Sequence, residues 1–375
     1  MKITILGGGP AGLYFALLMK KQDPDNVVTV IERDGPDDTF GWGIVFSDQT
    51  FDYLRESDAP SFEAITSACE KWDNVDVVHR GERITVRGNR FSGIARIRFL
   101  QLLHARCREL GVDLQFHRAV TDLSRLSSPD LLVGADGANS LVRRTHEALF
   151  QPTVEYGRNK YIWLGTPKLF HGLTLTFAGH STGVYAAHSY KFDRSASTFI
   201  VECSEATWQT AGLEGMSEVE TCAFLEGVFR EHLDGQPLHA RHFVRWLNFP
   251  LVRNARWHGD RLVLLGDALH TAHFSIGSGT KLAIEDAIAL AQAFAQAGDP
   301  AQALPLFEQS RRPRVEQLQQ AALESLRWFE DMGQHLHLDP LPFAVEAMTR
   351  SKRVDFEKLR QRDPEFVAAY ERYRS

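Results

Sequence analysis

Gly7-Gly8-Gly9-Pro10-Ala11-Gly12 places glycine at the first, third and sixth positions of one turn, the spacing at which backbone can wrap a dinucleotide pyrophosphate. Gly7 would make the tight turn, Gly9 would let the main chain approach phosphate, and Gly12 would permit close helix packing. Pro10 and Ala11 then open a helix whose first amides face the anion. Glu32, with Arg33 behind it, stands twenty residues past Gly12, where a carboxylate can accept hydrogen bonds from both hydroxyls of an adenosine ribose. Two later clusters repeat the strand-then-turn theme: Leu132 to Ser140, carrying Asp136 and Gly137 and followed by Arg143, and Leu262 to His270, carrying Gly266 and Asp267. Either one alone is ordinary turn chemistry. Their order behind a glycine motif is informative, although that motif by itself does not separate FAD from NAD.

These clusters need elements to hold them. Ile3 to Leu6 reads as a short apolar strand, Pro10 to Lys21 as a helix, and Val27 to Ile31 as a β-branched second strand, which together make a βαβ unit. The glycine-broken loop Phe40-Gly41-Trp42-Gly43 follows, then helix-like sequence to about Trp72. Residues 75 to 91 read as two short strands, and Ile97 to Leu110 returns to helical spacing. Leu131 to Gly134 is another buried strand. The stretch 154 to 203 is dominated by strands: Tyr161 to Leu164, Leu173 to Phe177, Val184 to His188 and Thr198 to Cys203. A helical interval at 217 to 233, a strand at Leu262 to Leu265 and a nearly all-helical remainder from Lys281 complete the chain. The expected fold is α/β: a Rossmann-like βαβ dinucleotide domain (1–72, 93–152 and 256–330), an inserted, mostly antiparallel sheet domain (73–92 and 153–255), and a helical C-terminal segment (331–375).

With 375 residues, 43% of them apolar, the chain can bury a large core. A net charge of -6 without blocks of like charge points away from nucleic acid and from a polybasic membrane patch. Cys69, Cys107, Cys203 and Cys222 are too scattered for a metal site or a disulfide framework, which fits a reducing cytoplasm. No apolar run approaches membrane-spanning length. Small-molecule chemistry is the default, and a homodimer is compatible with the sequence without being specified by it.

The three clusters together resemble the fingerprint of single-component flavoprotein hydroxylases of the para-hydroxybenzoate hydroxylase type. The resemblance implies that Asp136 supports the flavin and the nicotinamide passage, that Asp267 binds the ribityl chain of FAD, and that Arg96 contacts flavin. It covers nearly the whole chain at the level of the branch acting on aryl-CoA thioesters such as salicylyl-CoA, through Phe40 to Gly43, Tyr161 to Gly165, Ser197 to Cys203 and His270 to Thr280. The same segments resemble a hydroxylase of a tryptophan-derived intermediate, which is the rival substrate class. Two departures stand out. Prolines common after the third motif are replaced by His273 and Phe274, and the chain ends at Ser375, without the reductase-like domain of fused aryl-CoA enzymes, so ring reduction is not expected.

The resemblance implies that NADH or NADPH, bound transiently, reduces FAD, that O2 adds at flavin C4a, and that the hydroperoxide passes its distal oxygen to an electron-rich ring. The cofactor then carries the difficult chemistry and the protein supplies position, dryness and charge. Gly277 and Gly279, before a helix starting near Thr280, would bring amides to the flavin. His188, Tyr190, His270 and His273 are the candidates for ring-side chemistry. Arg158, Lys160, Arg350, Lys352 and Arg353 are available for CoA phosphates, and the tail at 350 to 372 otherwise reads as an exposed basic helix. Halogenation is disfavoured because Ile162 to Pro167 supplies one tryptophan where such enzymes carry two. A dehydrogenase on the same fold and a flavin-binding protein without turnover remain the readings from other classes.

Overall fold

The computed structural model describes residues 1–240 and 245–375. Strands Lys2–Leu6, Val27–Ile31, Asp113–Gln115, Leu131–Gly134 and Leu262–Leu264 form one parallel sheet, with Lys2–Leu6 at its centre between Val27–Ile31 and Leu131–Gly134. The run Ile3 to Leu6 is buried on both faces, as a parallel strand covered by helices must be. Helix Pro10–Gln22 packs against helix Gly279–Ala297 above it, so the first and third motifs are brought together by direct helix contact.

The second sheet has seven strands in the order Leu247–Asn254, Pro152–Thr166, Ser197–Cys203, Gly183–Lys191, Leu173–His180, Val75–His79, Glu82–Val86. All its pairings are antiparallel except that between Leu173–His180 and Val75–His79. Register decides its two faces. Tyr161 pairs with Glu202, Trp163 with Ile200, His188 with Ile200 and Leu175, and Tyr190 with Thr198, so these side chains share one side. The other side carries Ile162, Leu164, Tyr185, Phe199 and Val201, buried under helices Glu205–Thr210 and Glu218–Val228. That second face is mainly a packing surface, with Thr174, Thr176 and Ser189 buried among its apolar groups, whereas the first carries His188 and Glu202.

Three features differ from the sequence reading. The segment after Phe40 contributes strand Gly43–Ser47, which pairs with Phe91–Ala95, itself paired with Glu70–Trp72, in a small antiparallel sheet. Leu247–Asn254 is an edge strand containing Pro250, and only an edge tolerates the missing donor. The tail from 350 to 372 is not one exposed basic helix: Phe356–Arg362 and Pro364–Arg374 are separate helices, anchored by buried Leu359, Phe366 and Val367. Helix Pro300–Glu330 runs through Pro305 and Pro313, because Leu304, Phe307, Arg311 and Val315 are buried on one side of it. Among the described residues, no helix is long and apolar enough to cross a membrane.

Candidate active site

The strand-to-helix turn at Gly7 is tightened by backbone. Gly7 has φ +104°, and a Cβ there would lie 2.1 Å from the Ala135 carbonyl oxygen, so the first and second motifs touch through main chain alone. The second motif is fixed by Asp136, whose Oδ2 accepts from the amides of Leu141 (2.7 Å) and Val142 (3.2 Å). Arg143 then crosses to the third motif and donates to the Ala268 carbonyl at 2.8 Å. Glu32 accepts from the Gly8 amide (2.7 Å) and the Asp34 amide (3.0 Å), which holds its carboxylate beside the glycine turn. Arg33 is exposed and pairs with Asp34 at 3.3 Å.

A cavity of about 700 Å³ runs between the two sheets. Gly9, Pro10, Ala11, Gly137, Gly266 and Asp267 line it from the three motifs, with Arg96 and Gly277 to Thr280 beside them. A Cβ on Gly9, Gly137 or Gly279 would meet no atom within 4 Å, so three glycines from three distant segments leave backbone open to a ligand. Gly7 and Gly12 are instead packed against neighbouring main chain. The N-terminus of the long helix Gly279–Ala297 opens onto the same space, a favourable place for negative charge. Arg96 is half-buried, donates to Thr39 Oγ1 at 3.1 Å, and has its guanidinium pulled below the usual range by desolvation, against the opposing charge of Asp267. Asp267 is exposed to the cavity, where desolvation by the surrounding protein pushes its carboxyl up and Arg96 pulls it back.

On the sheet side, His188, Tyr190, Ile200, Trp163, Leu175 and Phe274 line the cavity. His188 Nε2 lies 2.6 Å from Glu202 Oε1, and Glu202 Oε2 accepts from Asn159 at 3.1 Å. Glu202 is fully buried. Burial raises its pKa, but the His188 hydrogen bond, the nearby histidine charges and Asn159 outweigh that and hold the carboxyl below its ordinary value. Tyr190 donates to the Gly43 carbonyl at 2.9 Å, and burial raises its phenol despite a hydrogen bond with Thr198.

The other two candidate histidines do not reach the cavity. His273 lies behind Phe274, with Nδ1 2.8 Å from Ser275 Oγ, and burial pushes its pKa down to about 4. His270 faces away, with Nε2 2.9 Å from Asp286 Oδ2, beside a second, smaller cleft that includes Trp257 and Arg312. Asp286 also holds Arg311 at 2.8 Å, so this buried charge cluster ties helix Gly279–Ala297 to helix Pro300–Glu330.

Of the basic residues singled out from sequence, Arg158 pairs with Glu330 and Asp331, Lys160 donates to Asn248 Oδ1, and Lys352 pairs with Glu324, all outside the cavity. Arg350 and Arg353 line it. Arg350 is half-buried, donates to Ser325 Oγ (2.9 Å) and the Ser275 carbonyl (2.7 Å), and sits 5.2 Å over the ring of Phe329, which also packs on His188. Burial pulls its guanidinium down to about 10. Sequence reasoning missed Glu202, Arg90 and Arg362. An acid within the otherwise uncharged strand Ser197–Cys203 was the available signal for Glu202; nothing local marked the two arginines.

A glycine cradle on a parallel sheet, facing an apolar wall with a buried His–Glu pair across one shared cavity, defines a flavin-dependent enzyme of the two-sheet hydroxylase type. Residues 1–322 match the family described as FAD binding domain, and the chain belongs to that family as an FAD-dependent monooxygenase. It is 43% identical to a salicyloyl-CoA 5-hydroxylase from Streptomyces sp., over 98% of this chain and 72% of that one. It is 35% identical to the protodeoxyviolaceinate monooxygenase of Chromobacterium violaceum, over 94% and 95%. Among solved structures, a variant of 2-methyl-3-hydroxypyridine-5-carboxylic acid oxygenase superposes with a TM-score of 0.73 at 18% identity, covering 94% of this chain and 98% of that one, which shows the shared fold.

Proposed function

We propose that the protein hydroxylates the ring of an aryl-CoA thioester, with salicylyl-CoA hydroxylated at C5 as the lead substrate, using NADH or NADPH and O2 in the cytoplasm. The observation that carries this reading is the single cavity that joins the glycine cradle to His188. The thioester is supported by the 43% identical relative.

In this reading Gly9, Pro10, Ala11 and Gly137 hold the FAD pyrophosphate and its surroundings, Glu32 holds the adenosine ribose, and Asp267 with Arg96 holds the ribityl chain and flavin edge. Bound FAD supplies reduction by nicotinamide and activation of oxygen. Gly277 to Thr280 line the same cavity, and their amides would stabilise the electron-rich end of the flavin ring system. Trp163, Leu175, Ile200 and Phe274 provide a dry slot for the aromatic substrate. His188 takes the proton of the substrate phenol, and the anionic Glu202 orients the imidazole and steadies the charge it acquires. Removing that proton raises electron density at the ring position para to the oxygen.

The test is stopped-flow reduction of the holoenzyme by NADH, with mass spectrometry of the product. Salicylyl-CoA is expected to accelerate reduction at least ~10-fold over free salicylate, because binding energy from the remote handle acts on the reacting end, and to yield a product heavier by one oxygen atom. Equal or better stimulation by free salicylate or by an indole would remove the thioester from the reading.

A further inference from the structure

Three arginines at the cavity wall have no role in the chemistry above. Arg90, on the turn between Val86 and Phe91, and Arg353 and Arg362, from the C-terminal segment, line the same space as His188. Two chain regions far apart in sequence are locked together to form this rim. Arg362 donates to Asn89 Oδ1 at 3.0 Å, and Asp363 accepts from the Arg87 amide at 2.7 Å and the Phe366 amide at 3.0 Å. Gly88 has φ +72°, and a Cβ there would stand 2.6 Å from the Arg362 carbonyl oxygen, so the turn and the helix end meet through backbone.

Charge is distributed unevenly around the rim. Other cations of the same two chain segments are paired: Arg87 with Glu365, Lys352 with Glu324, Lys358 with Asp355, and Arg360 with Glu357 and Glu371. Among the described residues, no carboxylate lies within 4 Å of the Arg90, Arg353 or Arg362 guanidinium. Arg353, exposed at the cavity wall, is pulled below its usual pKa by partial desolvation first and by repulsion from Arg362 second, with only Glu285 opposing. Like charges held together at the wall of a cavity, in a chain of net charge -6, are stabilised when an anion joins them.

We infer that Arg90, Arg353 and Arg362 form a clamp for the phosphates of an adenosine nucleotide handle carried by the substrate, the 3′-phosphoadenosine diphosphate end of a CoA thioester. The clamp rests on the thioester reading and adds where the handle sits. Planar guanidinium groups match phosphate oxygens two at a time, which a lysine does not. Arg350, stacked on Phe329 next to His188, stands further in and faces the acyl end. The rim is pre-set by Asn89 and Asp363, so little ordering opposes binding.

Calorimetry of the FAD-loaded enzyme with free coenzyme A tests the clamp without the aromatic ring. Arg90→Ala and Arg353→Ala are each expected to weaken coenzyme A binding about 10-fold, with Arg353→Lys recovering only part of it. Steady-state KM for salicylyl-CoA should rise by the same factor, while KM for salicylyl-pantetheine, which lacks the nucleotide, and KM for NADH stay unchanged. Coenzyme A binding that is indifferent to both substitutions overturns the clamp. So does an equal rise in KM for the pantetheine thioester, which would report a damaged cavity, and a rise in KM for NADH alone, which would assign the rim to the nicotinamide nucleotide. Arginine-dependent coenzyme A binding without turnover of any salicylyl thioester would keep the clamp and remove the proposed ring.

Discussion

His188 and Glu202 show how far a single residue type can be trusted without its surroundings. A histidine on a strand is common, and its worth here comes from a carboxylate 2.6 Å behind it that has no exposure to solvent. Glu202→Gln keeps the size and one hydrogen bond but removes the charge. It is expected to lower kcat at pH 7 about 100-fold, in the range of lost acid–base assistance, and to diminish the phenolate absorbance of bound salicylyl-CoA. Wild-type phenolate absorbance and rate in the variant would reduce the pair to a packing role. His188 was legible as a candidate through the mechanism the family resemblance implies, since its place on a strand alone fits a packed core residue as well. Glu202 was not, because its partner is set by cross-strand register, and Ala186, not His188, is its direct neighbour. Likewise Arg350 could be singled out from sequence, but its position over Phe329 follows from the end of helix Pro340–Thr349 meeting the end of helix Pro300–Glu330.

At the scale of elements, the glycine turn, the central strands and the long helices could be read from local pattern because each is fixed by its own periodicity or by backbone sterics. The small sheet of Gly43–Ser47, Phe91–Ala95 and Glu70–Trp72 could not, since its strands are short and exist only through pairing between distant segments. One junction ties together the helices that flank those strands. Asp58 caps helix Ala59–Ser67 by accepting from the Ser61 amide, and also receives Arg106 of helix Arg96–Glu109 at 3.0 and 2.9 Å. Its side chain is buried. Burial raises its pKa, but the Arg106 and Ser61 hydrogen bonds prevail and leave it below the ordinary 3.8. A depressed folded value means that the stabilisation is complete above the unfolded pKa and fades as pH falls through the folded one. Asp58→Asn is therefore expected to cost about 3 kcal/mol at pH 7, and to show a shallower loss of stability than wild type in denaturant titrations carried below pH 4. Parallel acid slopes in the two proteins would show that Arg106 contributes no charge-dependent stability.

For the whole molecule, the sequence order conceals the arrangement that matters: Gly7 to Gly12, Asp136 to Val142 and Gly266 to Thr280 are far apart along the chain and converge on one cavity. The convergence is mechanical as well as spatial, since Arg143 joins the second motif to the third and Gly7 meets Ala135 through backbone. The helices Glu218–Val228 and Arg230–Leu233 belong to a different core, where Cys222, Leu225 and Phe229 pack with Phe199 and Val201 on the far face of the seven-stranded sheet. A ligand that binds only the native state at about 100 times its Kd adds about 2.7 kcal/mol of stability, but local protection follows contacts. Hydrogen exchange of the apoprotein and the FAD-loaded protein should therefore differ at all three motifs together, each slowing on loading, while the 218–233 helices change little. Protection confined to residues 7 to 12 would mean that the second and third motifs are bystanders. Uniform slowing that includes 218–233 would instead mean that FAD acts by suppressing global unfolding, with the two cores behaving as one cooperative unit.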